Sequence, residues 1–204
     1  MDKVKLIWVL SILFLAYSIY WNVHAHEYLK NKYMDLVQSK DAILDKLDFE
    51  SSTYFFFSII ADLLMALSII GSITLIIKKK LSKELPYLFT ILGIFLYIRA
   101  LCLILTPIGN PYPAEKWGLI QVIVLKEMAV FPSGHVAVPL FCILYSHTKK
   151  FKTYLWISII IFILTSLALI LAKSHYSIDI IASILFIYAI YSFGEKHLRK
   201  RLIC

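Results

Sequence analysis

Six apolar runs, separated by short clusters of charge, occupy most of the chain: residues 6–21, 54–77, 87–106, 131–146, 154–172 and 178–193. A helix needs about 20 residues to cross roughly 30 Å of hydrocarbon, so each run reads as a membrane-spanning helix. The fourth and sixth are short, which a bundle accommodates if they begin below the membrane surface. Pro139 is expected to kink the fourth. The two-residue alternation of a β-barrel is absent, which leaves helices to satisfy the backbone in lipid. The pattern therefore predicts an all-α, polytopic six-helix bundle. No internal repeat, low-complexity tract or second domain interrupts it, so residues 1–204 form one integral membrane domain.

Composition agrees with the pattern. The chain is 60% hydrophobic and only 17% charged, where soluble domains carry about a quarter charged residues. An ordinary soluble enzyme, a disordered chain and a nucleic-acid-binding domain are excluded. The net charge of +8 is explained by placement. Counting Lys and Arg in alternate connections puts 13 on one side and 7 on the other, with Arg99 inside a span. The positive-inside rule then places both termini in the cytoplasm. The same basic excess also suits anionic lipid heads. Cys102, Cys142 and Cys204 are too few and too scattered for a disulfide framework or a zinc site.

The N-terminus has the look of a leader, with two lysines, an apolar stretch and then Val23-His24-Ala25. Its apolar stretch is longer than a leader's usual core, and an uncleaved first helix keeps the six-span parity. Residues 26–52, with Asp41, Asp45, Asp48 and Glu50, are expected to form an exposed outer loop carrying one or two helical turns. The second outer connection, 109–130, contains an apolar stretch at 117–125 that is too short to span. It is expected to lie in the interface with Trp117 at headgroup level.

Ionisable groups inside spans are the informative ones in a membrane protein. Asp62 and Arg99 both lie roughly 10–12 Å below the outer surface at about 1.5 Å rise per residue. Equal depth allows an ion pair between them. It also allows Arg99 to face a substrate phosphate while Asp62 holds it.

Two motifs open the fourth and sixth spans on the outer face: Phe131-Pro132-Ser133-Gly134-His135 and Lys173-Ser174-His175-Tyr176-Ser177-Ile178-Asp179. His175 and Asp179, four apart, share one helical face. A carboxylate there accepts one imidazole N–H and leaves the other nitrogen free as a nucleophile or base. Ser133-Gly134-His135 at a helix start offers unpaired N–H groups to an anion, and glycine permits close approach. His135 there is placed to protonate a leaving group. Either histidine alone reads as an interfacial residue satisfied by water, as His24, His26, His147 and His197 do. Two at the outer ends of spans, one beside glycine and one with an i+4 carboxylate, favour chemistry instead. A facial metal triad also fits two histidines and a carboxylate. It lacks an obvious fourth ligand, and His24-x-His26-Glu27 diverges on a helix, so no metal is expected.

These residues resemble the type 2 phosphatidic acid phosphatase superfamily of six-span membrane enzymes. Its Pro-Ser-Gly-His motif is matched in full at Pro132–Ser133–Gly134–His135, and its His-x3-Asp at His175 and Asp179. Ala168-Leu169 stand where that family has Ser-Arg, and its first motif survives only as Arg99-x6-Thr106-Pro107. The departures are closer to the sphingomyelin synthase-like branch. Arg99, Thr106, Pro107 and Pro111 fit that branch's first element, and Lys173, His175, Tyr176, Ser177 and Asp179 its third. Ala100, Phe131-Pro132 and Ile184 depart from it.

The resemblance implies a lipid phosphotransferase or phosphatase working through a phosphohistidine. His175 would be the nucleophile, Asp179 would orient it, and His135 would be the general acid. Arg99, Lys173, Ser133 and Gly134 would hold the phosphate. No cofactor is implied. The partners are the membrane and a phospholipid or lipid phosphate, with ceramide or diacylglycerol as acceptor if the second step is transfer. The active site would lie on the extracytoplasmic or luminal face. A transporter or lipid-binding protein is the rival of another class. Polar residues should then gather at the midplane, whereas here they crowd the outer third.

Overall fold

The computed structural model describes residues 3–32, 41, 43–47, 51–106 and 131–203. These are helical throughout, with no strand among them: α1 Lys3–Lys32, α2 Ser51–Lys78, α3 Leu85–Leu105, α4 Gly134–Thr148, α5 Lys152–Leu171 and α6 Ser177–Phe193. A π-helical turn, Gly194–Leu198, and a last short helix, α7 Arg199–Leu202, continue α6. All six expected spans therefore coincide with helices. The interfacial stretch expected at 117–125 lies outside the described residues. In the connection between α1 and α2 one short turn is described, the 3₁₀ helix Leu44–Lys46.

Five helices are long and apolar enough to cross a membrane: Lys3–Ala25, Ser52–Lys78, Ser82–Leu105, Lys152–Leu171 and Ser177–Leu202. The exception is α4. Its 15 residues reach only about 22 Å, so its start stops roughly 8 Å short of a 30 Å core if its end is at the opposite boundary. The outward faces of the longer helices are apolar, with Leu13, Leu63, Ile70, Trp156, Ile160 and Leu185 all exposed. Such continuous apolar cover suits lipid and is unsuited to water.

The helices pack in a defined order. α1 lies along α3, α3 meets α6, α6 meets α4, and α4 and α5 both pack on α2. Gly93 allows the first contact, because a Cβ there would meet the Phe14 ring at 2.8 Å. Thr90 to Ser11 at 3.3 Å, Asn22 to the Leu96 carbonyl at 3.3 Å, and stacked Tyr17 and Tyr97 continue the seam. A central cluster of Tyr87, Ile91, Phe95, Phe141, Ile187 and Tyr191 joins α3, α4 and α6. A second, with Ala61, Val136, Ala168, Leu169 and Ile180, joins α2, α4, α5 and α6 beneath the two sequence motifs.

Three helices end the same way. Lys80, Lys150 and Lys173 all adopt positive φ (53°, 58° and 49°) just past α2, α4 and α5. In each, the paired reverse hydrogen bonds of a Schellman cap are present, for example Lys173 N to Ile170 O and Ser174 N to Leu169 O. Lysine replaces the glycine that favours this conformation. Its charge at the negative end of the helix dipole compensates in part.

Candidate active site

The start of α4 and the start of α6 meet at one end of the bundle. A cis Phe131–Pro132 peptide leads into Ser133, the N-cap of α4. Ser183, one turn into α6 beyond Asp179, ties the two starts together. Its hydroxyl lies 2.9 Å from the Ser133 carbonyl and 2.6 Å from the Asp179 carbonyl. Ser133 N reaches the same Asp179 carbonyl at 3.4 Å. Small hydroxyls allow these two helix ends to approach closely.

His175, Asp179, Ser133 and His135 are brought together here. The Ser133 hydroxyl lies 3.1 Å from His175 Nε2. On the ring's other side, Nδ1 is 3.4 Å from Asp179 Oδ2, within ion-pair range although the angle makes no hydrogen bond. Oδ2 instead accepts the Tyr176 N–H at 2.8 Å, while Asp179 Oδ1 has no hydrogen-bond partner among the described residues. Ser133 and Asp179 are fully buried and His175 is 4% exposed. Burial pushes the His175 imidazole below its ordinary value of 6.5. Asp179 opposes that shift, and the charges of His135 and Arg99 add to it. The ring is therefore neutral at pH 7, as a nucleophile must be.

His135, on the first turn of α4, stands with its ring centre 5.9 Å from that of His175. Its Nε2 is 2.7 Å from Asp62 Oδ1 on α2. Each imidazole thus has a carboxylate of its own. Among the described residues, a Cβ at Gly134 would meet nothing within 4 Å.

Arg99 is buried beside the cluster, but the pairing with Asp62 that equal depth allowed does not form. Arg99 donates from Nε to the Pro132 carbonyl at 2.8 Å and from Nη1 to Asn22 Oδ1 at 2.6 Å. The reason is the packing order: α4 inserts its histidine against α2, whereas α3 is lined by α1. Arg99 thereby holds the backbone just before Ser133, and among the described residues its Nη2 carries no hydrogen bond. Lys173 stands apart from the histidines, with its ammonium over the Tyr54 ring at 5.4 Å.

Asn22 was not foreseen, because a lone amide after Trp21 looks like an interfacial residue where a span ends. Its signal was present in α1, which runs on past it to Lys32 and so places the amide inside a helix. Among the described residues no three His, Cys, Asp or Glu side chains gather as metal ligands.

No curated protein and no solved structure matches the chain. The family profile of the PAP2 superfamily matches residues 56–193, a stretch that contains Asp62, Arg99, both motifs, most of α2 and all of α3 to α6. That membership suggests phosphatase or phosphotransferase chemistry. The chain belongs to the PAP2 superfamily.

Proposed function

We propose that the protein transfers a phosphate-bearing headgroup from a phospholipid through a phosphohistidine on His175. The observation that carries this reading is the facing pair of imidazoles, each against its own carboxylate, at a buried helix start where a Cβ on Gly134 would meet no described residue. Asp179 holds the Nδ1–H form, so the Nε2 lone pair is the attacking group. The Ser133 hydroxyl now on Nε2 turns to a non-bridging oxygen when phosphate arrives. The Nε2–P bond forms, and the P–O bond to the departing diacylglycerol breaks. Asp62 keeps a proton on His135 Nε2, which leaves Nδ1–H to protonate the leaving oxygen, a role typically contributing 10²–10⁴-fold. Arg99 Nη2, the Gly134 N–H and Lys173, once swung off the Tyr54 ring, hold the remaining oxygens, and such positioning supplies most of the catalysis in phosphoryl transfer.

For the second half, the sphingomyelin synthase-like pattern supports attack by a lipid hydroxyl on ceramide or diacylglycerol rather than by water. The short α4 supports it too. A site recessed by roughly 8 Å has lipid hydroxyls concentrated beside it and water in part excluded. His135 Nδ1 then takes the acceptor's proton, the P–N bond breaks, and the enzyme is restored. The distribution of Lys and Arg supports an extracytoplasmic or luminal position for this end.

Purified protein given labelled phosphatidylcholine and phosphatidic acid, with ceramide or diacylglycerol raised to saturation, tests the reading. Transfer predicts a new lipid carrying the labelled headgroup, and acid-labile label on wild-type protein but not on His175→Ala. If free phosphate or free phosphorylated headgroup is the only product at saturating acceptor, the protein is a lipid phosphate hydrolase. Full turnover by His175→Ala removes the phosphohistidine.

A further inference from the structure

The turn that carries His175 is held from outside by a residue distant in sequence. Asp41, in the first connection between helices, sends its carboxylate onto the first residue of α6. Oδ2 accepts the Ser177 N–H at 2.7 Å, and Oδ1 accepts the Ser177 hydroxyl at 3.1 Å. The same Oδ1 accepts Ile43 N–H at 2.9 Å and Leu44 N–H at 3.1 Å, which makes Asp41 the cap of its own short turn as well. That turn is docked rather than loose: Leu44 is 3% exposed, and the Tyr54 hydroxyl reaches the Leu47 carbonyl at 3.4 Å.

The first N–H groups of a helix have no partner inside it. At the start of α6, Asp179 takes the Tyr176 N–H and Asp41 takes the next one, so two carboxylates hold the His175-Tyr176-Ser177 corner. Asp179 reaches this corner through the Tyr176 N–H, and its contact with His175 Nδ1 is a long one at 3.4 Å. We propose that Asp41 is a positioning residue for the reaction: by anchoring Ser177 to the docked turn, it fixes the backbone from which His175 presents Nε2 to phosphorus. A carboxylate at this helix end is also favoured by the helix dipole. Burial works against ionisation of Asp41, but the hydrogen bonds from Ser177, Leu44 and Ile43 outweigh it and hold the carboxyl below its ordinary 3.8. It is charged throughout the neutral range.

The proposal rests on His175 as nucleophile. Purified Asp41→Ala, Asp41→Asn and His175→Ala are compared on dioctanoyl phosphatidic acid and dioctanoyl phosphatidylcholine with a diacylglycerol acceptor, and vanadate binding is measured on the same preparations. Losing a helix cap is typically worth about a factor of ten in an equilibrium. Asp41→Ala is therefore expected to lower kcat about tenfold with KM within twofold, and to weaken vanadate binding by a similar factor. Asp41→Asn, which keeps an acceptor for Ser177, recovers most of both. Glu84→Gln, which loosens the opposite end of the bundle, serves as the control for general destabilisation and leaves kcat unchanged.

If Asp41→Ala keeps wild-type kcat and vanadate affinity while His175→Ala is inactive, Asp41 is a loop cap only and the proposal is wrong, although the phosphohistidine stands. If Glu84→Gln lowers kcat equally at equal loss of Tm, the effect is general and positioning fails. If His175→Ala turns over normally, both readings fall.

Discussion

The two ends of the bundle each gather charged groups and treat them in opposite ways. At the end where α3 begins and α4 and α6 finish, Glu84 is 7% exposed and fully engaged. It pairs with Lys149, and its other oxygen takes Arg199 Nη2 at 3.1 Å and the Tyr145 hydroxyl at 3.0 Å. Arg199 also pairs with Glu195, which accepts the Tyr87 hydroxyl at 2.8 Å. At the histidine end, His175 Nδ1 and Asp179 Oδ1 are buried without a hydrogen bond among the described residues. Buried polar groups are nearly always satisfied, and an unsatisfied one asks for an explanation. The satisfied network locks helix ends together. The incomplete one is what the phosphate of the proposed reaction would complete.

Substitutions at the two ends should separate cleanly. The largest effect is expected from His175→Ala and Asp179→Asn, each lowering turnover by about 10³-fold or more while far-UV circular dichroism and detergent melting stay close to wild type. Loss of the fold in both variants would make this cluster structural, like the other. Glu84→Ala should do the reverse. It strands Lys149, leaves Arg199 with Glu195 alone, and is expected to destabilise by about 2–4 kcal/mol, read as a lowered melting point, with kcat per folded molecule unchanged. A comparable fall in kcat would mean that the ends are coupled.

Asp62→Asn is the next test. Without its carboxylate, His135 is less well oriented, and turnover of a diacylglycerol-leaving substrate should drop about 10–100-fold. An aryl phosphate, whose leaving group departs without a proton, should be much less affected. Equal losses on both would take proton donation away from His135.

The depressed His175 imidazole has a pH signature of known sign. Between its folded value and 6.5 the unfolded chain holds more protons than the folded one, so stability rises with pH through that window. It is lost as pH falls below 6.5. His175→Gln should flatten this part of the curve of melting point against pH. An unchanged slope would mean the ring is not held neutral.

The smallest effects come from the three lysine caps. Glycine suits the left-handed conformation, which costs other residues about 1 kcal/mol. Part of that gain is offset by the lost charge at the helix end. Lys80→Gly and Lys150→Gly should raise stability by about 0.5 kcal/mol with activity unchanged. Lys173→Gly should give the same gain but raise KM several-fold, because this lysine alone of the three belongs to the His175 motif in sequence. Identical behaviour of all three would remove Lys173 from phosphate binding.

What the sequence determined by itself was set by local physics. Six apolar runs dictate six helices, since hydrocarbon tolerates no unpaired backbone. A proline and glycine before His135, and a spacing of four from His175 to Asp179, define two helix starts without reference to the rest of the chain. Asp62 and Arg99, deep inside their spans, were visible for the same reason: hydropathy marks them wherever they point. Their partners were not visible. Asp62 and Arg99 have equal depth, but depth is one coordinate and pairing needs the rotation and order of the helices. That order set Asp62 on His135 and gave Arg99 to Asn22 and Pro132. Asp41 lies 136 residues from Ser177, and no periodicity links a loop carboxylate to a distant helix start. Tertiary packing alone decided these contacts, because each joins groups whose separation along the chain carries no information about their distance in space.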